Sequence, residues 1–274
     1  MSEPIIGVGF TGELSLRVSV ATLSRVVFPH PEGGVPMIAL EHKATLAAGE
    51  ADRVDVKAQP FGGAIRILNP NRLLTLLGSF NFDSQRSRSE QDFRVYIRPS
   101  SWEEVREFCL QNMDQEAGPD LEIDPSRELE EEFDDALGIQ LKLNQYVVKP
   151  FGIVVENEPA PTTNVRATGN LTARIYRVYE VQIQDPALWR LMVANSHTHP
   201  KQILQRLALD DSQKGGRGRA TAMLVAAEQE IRAAYSALPP EMLGMPLAFA
   251  GTVLDGNVPA ILKGISVPKY RYLR

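Results

Sequence analysis

A mixed α/β fold, one sheet with helices packed against it, is predicted by three features of the sequence. Strict apolar alternation recurs along the chain, as in Leu14, Leu16, Val18 and Val20 and again in Leu171, Ala173 and Ile175. That is the period at which a strand turns one face to a core. Segments with apolar residues at three- and four-residue spacing stand between them, several with a capping residue at one end. The two kinds intermix through all 274 residues, which favours a single domain with one mixed sheet over separate all-β and all-α domains.

Gly7-Val8-Gly9-Phe10-Thr11-Gly12 has the spacing of a dinucleotide-binding turn. Such a turn works only where a helix leaves the glycines, and here a strand pattern follows, so a glycine-rich turn is predicted. Val35 to Leu46 and Asp52 to Leu68 read as extended segments, Asn69 to Phe80 as a helical turn, and Asn81 to Gln91 as a polar loop with two arginines. Asp92 to Pro99 alternates as a strand. Ser101 with Glu104 has capping-box spacing and predicts a helix to about Met113. Gln140 to Glu156 resumes strand character, Asn157 to Asn170 reads as a linker, and Leu171 to Ile183 as a strand. Asp185 before Pro186 starts another helix. Arg219 to Leu238 reads as one amphipathic helix, and Asp255-Gly256 as a hairpin turn.

Composition narrows the function classes. A net charge of -5 supplies no basic footprint for nucleic acid. A single cysteine, Cys109, forms no internal disulfide and fits a reducing compartment. The N-terminus shows no basic segment followed by an apolar run, and no stretch approaches the ~20 apolar residues of a membrane helix. A cytoplasmic protein without a membrane partner is expected; the sequence leaves its oligomeric state open.

Asp124 to Ile139, DPSRELEEEFDDALGI, packs seven carboxylates into sixteen residues. Asp124 suits an N-cap, Pro125 the first turn and Gly138 the position after the last turn, so a helix is predicted from Pro125 to Leu137. At 100° per residue, Leu129, Phe133, Ala136 and Leu137 form an apolar stripe. Glu128, Glu131, Glu132 and Asp135 form a second stripe at spacings that set like charges against each other. Two explanations are open: a hard divalent cation such as Mg²⁺ held by oxygen ligands, or a solvated acidic face.

The residue order adds to this. Arg127-Glu128-Leu129-Glu130-Glu131-Glu132 matches Arg-Glu-aliphatic-x-Glu-Glu, the helical core of the Nudix box, and the chain resembles the Nudix hydrolases. The resemblance implies a Nudix-like α/β/α sandwich and a metal-dependent pyrophosphohydrolase that cleaves a nucleoside diphosphate linked to another group. Its partner would then be a nucleotide-type small molecule. Glu128, Glu131 and Glu132 would be the catalytic ligands of Mg²⁺ or Mn²⁺, and Arg127 would orient a glutamate. Gly62 and Gly63 would be the turn that opens the box, and Arg86 and Arg88 weaker candidates for substrate binding.

The resemblance is incomplete. The family sets its turn much closer to the helix, so an insertion at about 67–123 is implied, sitting as an excursion on one edge of the sheet. The family also has a glutamate eight residues before the arginine, where this chain has Pro119; the nearest acid, Glu122, is out of register. That gap leaves room for the alternative, an inactive Nudix-like domain that binds a nucleotide ligand or a protein partner. The general base is not identified, although Asp135 or the Asp210-Asp211 loop is available. His197 and His199 lack a third ligand for zinc, and Lys214 to Arg219 reads as a loop that could meet an anion.

Overall fold

The computed structural model describes residues 5–9, 11–46, 54–114, 118–162, 169–196 and 219–273. Thirteen strands form one mixed sheet, and helices pack on both of its faces. Its spine is β2 (Leu16–Pro29), which pairs in parallel along eleven residues with β11 (Leu171–Ile183). Beyond β11 lie β9 (Tyr146–Glu156) and β15 (Tyr270–Leu273).

The other edge of β2 forks. Its first residues pair with β7 (Arg94–Ile97), and its last with β3 (Pro36–Leu46). Between these ladders the edge is taken by Phe61 to Ala64: Ser24 N–H donates to the Phe61 carbonyl at 2.7 Å and Thr22 N–H to the Gly63 carbonyl at 3.0 Å. This segment follows β4 (Val54–Gln59), which pairs with β3. The Gly-Gly turn therefore lies where the sheet divides.

Alternation along β2 distributes the cores. Leu16, Val18 and Val20 join a cluster with Leu73 of α1 (Pro70–Leu77) and with Trp102, Val105 and Phe108 of α3 (Trp102–Met113). Val26 and Phe28 continue the same face under α4 (Ser126–Leu137) and α5 (Pro186–Ala194). Leu23 points the other way, to Ile231 and Tyr235 of α6 (Glu228–Ser236).

Several expectations need correction. Arg219 to Ala227 forms β12, paired along nine residues with β3, and only Glu228–Ser236 is helical. Residues 222–226 are all buried, so the apolar run carries a strand covered on both faces rather than a helix stripe. The polar loop is interrupted by a short helix, α2 (Gln85–Glu90), because the Ser84 hydroxyl accepts from Ser87 N–H. Ser101 makes no side-chain cap to α3; a 3-10 turn from Pro99 leads into that helix instead. The hairpin turn is Ala250-Gly251, both at positive φ between β13 (Leu247–Phe249) and β14 (Thr252–Leu254), and Asp255-Gly256 follows it. After Gly9 the chain turns back into β2, with no helix leaving the glycines.

Segment 67–123 is not a separate body. Its strands β6 (Ser79–Phe82) and β7 stand between β1 (Ile5–Val8) and β2, at one end of the main strand path. The linker contributes β10 (Ala160–Pro161) against β11, and β5 (Arg66–Ile67) pairs with β8 (Leu121–Glu122) in a small sheet of its own. No helix among the described residues is long and apolar enough to cross a membrane.

Candidate functional site

The site begins with the rotation of α4. The Asp124 carboxylate accepts from Ser126 N–H at 2.7 Å, and Gly138, in the left-handed region, ends the helix by donating to Asp134. Leu129, Phe133 and Ala136 are buried against the sheet, with the Phe133 and Phe61 ring centres 5.1 Å apart. Phe61 immediately precedes the Gly-Gly turn. The packing that anchors the helix thus also sets it beside Gly62 and Gly63.

Two of the predicted acids reach that turn. Gly62 N–H donates to Glu132 Oε2 at 2.6 Å. A Cβ on Gly63 would lie 1.8 Å from Glu128 Oε2, so Glu128 rests directly against the backbone there. A Cβ on Gly62 would meet the Thr22 carbonyl at 2.1 Å, and φ at Gly62 is +142°. Both glycines answer a physical demand, one for backbone approach and one for carboxylate approach.

The four-acid stripe does not stay together. Glu132 is buried and Glu128 half-buried, while Asp135 is exposed on the outer side and the Glu131 side chain is 64% exposed. Arg127 binds along this outer edge. It contacts Glu128 at 2.5 Å, Glu122 at 3.0 Å and Glu131 at 3.5 Å. Partial burial works against the guanidinium charge, but Glu128 and Glu122 outweigh it and hold Arg127 firmly protonated. Glu122, out of register in the chain, reaches Arg127 because β8 ends just before the helix begins.

Sequence reasoning missed Glu41 and Asp92. Glu41 of β3 is fully buried on the face that looks toward α4, where Glu41 Oε2 accepts from Lys43 Nζ at 2.7 Å and from Gln59 Nε2 at 2.8 Å. The signal was available: Met37, Ala39 and Glu41 share one phase of a strand, so a charge stands at an inward position. Burial pushes the Glu132 carboxyl well above the usual carboxylate range, and the Glu41 charge adds to this. Lys43 and the Gly62 amide pull the other way. Asp92, between α2 and β7, is pushed up to about 6 by burial, against the pull of Arg94 at 2.8 Å. Glu90 and Glu128 add to the rise.

Arg86 of α2 is exposed and pairs with Glu90 at 2.8 Å, close enough to Glu128 for the carboxylate to act on it. Arg88 stands exposed in the last turn of the same helix. His197, His199, Asp210, Asp211 and Lys214 to Gly218 lie outside the described residues. Among the described residues, no three His, Cys, Asp or Glu side chains are gathered into a ready metal site.

A family model for the SMODS-associated NUDIX domain matches residues 15–205, which include the Gly-Gly turn, α4 and the sheet around them. The chain belongs to this NUDIX domain family. Neither a curated protein nor a solved structure matches it.

Nudix enzymes generally use Mg²⁺ or Mn²⁺, and the acids that this NUDIX domain sets at the turn fit such an ion in chemistry. The side chains that meet the turn, Glu128 and Glu132, carry carboxylate oxygens, the donors a hard cation takes. The buried Glu132, raised by its own burial and by Glu41, is a carboxyl whose ionised form a divalent cation would favour.

Proposed function

We propose that this NUDIX domain is a metal-dependent pyrophosphohydrolase acting on a nucleoside diphosphate linked to another group. The reading is carried by one observation: a buried acid, Glu132, hydrogen-bonded to the Gly62 amide, with Glu128 against Gly63. Glu128 and Glu132 would hold Mg²⁺ or Mn²⁺ from the helix, and Glu131 would serve at the outer edge through Arg127. When bound, the cation would neutralise diphosphate charge and lower the pKa of a water.

The chain's own residues supply the rest. Gly62 and Gly63 keep the surface before the acids free of side chains, so a phosphate can lie close to the backbone. Arg127 fixes Glu128 through a charge-assisted contact. Arg86, exposed at the rim, offers a guanidinium to phosphate oxygens. Segment 67–123, which carries Arg86 and Asp92, is read as the insertion that shapes the substrate side. The nucleotide-type ligand is a small molecule, in keeping with the acidic net charge.

The test is metal-dependent release of nucleotide or phosphate from a panel of dinucleotides and nucleoside-diphosphate sugars. Wild-type turnover should require Mg²⁺ or Mn²⁺, and Glu132→Gln should lose it by about two orders of magnitude or more, as removal of charged metal ligands implies. No metal-dependent release from any substrate would overturn the enzyme reading. A second reading, a domain that binds a nucleotide without cleaving it, is favoured by the outward placement of Glu131 on Arg127. Nucleotide binding without turnover in the same panel would select it.

A further inference from the structure

We infer that Arg177 of β11 is a diphosphate-binding residue of this site, meeting a phosphate that lies over the sheet between the Gly-Gly turn and β11. The inference rests on the hydrolase reading for its ligand, the diphosphate of a nucleotide.

The first support is register. Ala64 bridges Ala21 and Phe61 bridges Ser24, which sets Gly63 opposite Thr22, and Thr22 N–H donates to the Gly63 carbonyl at 3.0 Å. On its other edge β2 sets Thr22 opposite Arg177. Gly63, Thr22 and Arg177 therefore form one row across three neighbouring segments. Residues in one row share a face of the sheet. Here it is the face that α4 covers, because the pair Val26 and Val181, an even number of residues along, packs with Leu129 and Phe133. Two strand spacings separate Gly63 from Arg177, about 10 Å between Cα atoms. Glu128 Oε2 rests against Gly63 at the far end of that row.

The second support is an uncompensated charge. The phase of β11 that faces the helices reads Ala173, Ile175, Arg177, Tyr179, Val181, Ile183, so the arginine interrupts an apolar run at the row of Gly63. Arg17, Arg25, Arg127 and Arg174 each meet a carboxylate oxygen at 3.1 Å or less. Among the described residues Arg177 meets none. Its guanidinium stands over the Tyr179 ring, 5.3 Å from the centroid. Burial pushes the Tyr179 hydroxyl up, and contact with Arg177 pulls it back. An aromatic partner orients the planar group without neutralising it.

Buried donors point the same way. Arg177 Nε is shut off from solvent and lacks a hydrogen-bond partner, as does Ser24 Oγ, which belongs to the next row with Tyr179. Unpaired polar atoms of this kind are costly. Arg177 as a whole is partly exposed, so a ligand can reach it. A phosphate offers several anionic oxygens to the guanidinium fork. A diphosphate held at Glu128 and Glu132 extends along the row toward it.

The experiment is calorimetric titration of the intact chain with inorganic pyrophosphate in Mg²⁺, beside urea unfolding and the substrate panel. Arg177→Gln should weaken pyrophosphate binding by about tenfold or more, the loss of a charge-assisted hydrogen bond, and raise KM for any substrate cleaved. A side chain with only a structural role predicts lower stability with pyrophosphate affinity unchanged, and that result overturns the inference. Wild-type turnover whose KM is indifferent to Arg177→Gln overturns it while sparing the hydrolase reading. Pyrophosphate binding that depends on Arg177, without turnover of any substrate, upholds the inference and rejects the hydrolase. Absence of wild-type pyrophosphate binding overturns the inference. If Arg177→Gln does not fold, Arg177→Lys decides. Lysine keeps the charge and loses the fork, so binding should weaken severalfold, and unchanged affinity counts against Arg177.

Discussion

Gly62 and Glu132 lie seventy positions apart in the chain, yet the Gly62 amide donates to the Glu132 carboxylate at 2.6 Å. The bond ties the turn where the sheet forks to the helix that covers the fork. Together with the Phe61–Phe133 packing it sets the helix against the turn, where Gly62 makes the bond and Gly63 gives Glu128 room.

Gly62→Ala and Gly63→Ala should behave differently although they are neighbours. At Gly62 the added Cβ meets a backbone carbonyl, which cannot move without distorting β2. A loss of about 2–4 kcal/mol in urea unfolding is expected. At Gly63 the added Cβ meets the far end of a flexible glutamate. That variant should fold with a much smaller loss and yet bind Mn²⁺ more weakly, because Glu128 is pushed off the turn. Equal stability losses in the two variants would contradict the assignment of their roles.

The metal-free protein should lose stability as pH rises. Unfolded, Glu132 ionises near the ordinary glutamate value of 4.5; folded, burial holds it protonated to higher pH. Below that ordinary value both states carry the proton and no penalty exists. Above it the unfolded state alone ionises, so the folded state is penalised progressively. Asp92 acts in the same direction between its ordinary 3.8 and about 6. Thermal midpoints of Glu132→Gln should therefore exceed wild type at neutral pH and converge with it near pH 4. Added Mg²⁺ should raise the wild-type midpoint and leave that of Glu132→Gln nearly unmoved.

The helix Ser126–Leu137 was legible in the sequence because its caps and apolar stripe are local, and the meeting of Gly62 and Gly63 with the acidic helix was implied by the Nudix resemblance, in which such a turn opens the box. β12 was not legible. Ala, Met and Leu in Arg219–Ala227 are good helix formers, and only the long edge of β3, distant in sequence, makes them a strand. Nor could periodicity say which acids share a pocket. Glu128 and Glu132 differ from Glu131 by less than a turn, and the split is decided by where Phe61 and Phe133 meet. Glu41 was legible in principle, as a charge in the buried phase of a strand, but nothing local connects it to a helix ninety residues later.

Glu131→Gln separates the helix acids. Its side chain is mostly exposed, and its contact with Arg127 is 3.5 Å. A stability change within about 0.5 kcal/mol is expected. Mn²⁺ affinity should fall far less than in Glu132→Gln. An equal fall in both would show that Glu131 turns inward when the ion binds, and would place all three glutamates at the ion.

Arg127→Lys tests the outer network. Arg127 spreads one charge over Glu122, Glu128 and Glu131 at 3.0, 2.5 and 3.5 Å, which a planar fork can do and an ammonium on a flexible stem cannot. Lysine keeps the charge, so the carboxylates are not left wholly unbalanced, but it satisfies fewer of them at once. A loss of about 1 kcal/mol is expected from one missing charge-assisted hydrogen bond at a partly exposed site. Because Glu128 lies against Gly63 and is also held by Arg127, Mn²⁺ binding should weaken severalfold without being abolished. Urea unfolding and paramagnetic titration of the same sample read the two effects separately. Wild-type behaviour in both would mean that the packing of Leu129 and Phe133 alone orients Glu128, and that Arg127 has no orienting role.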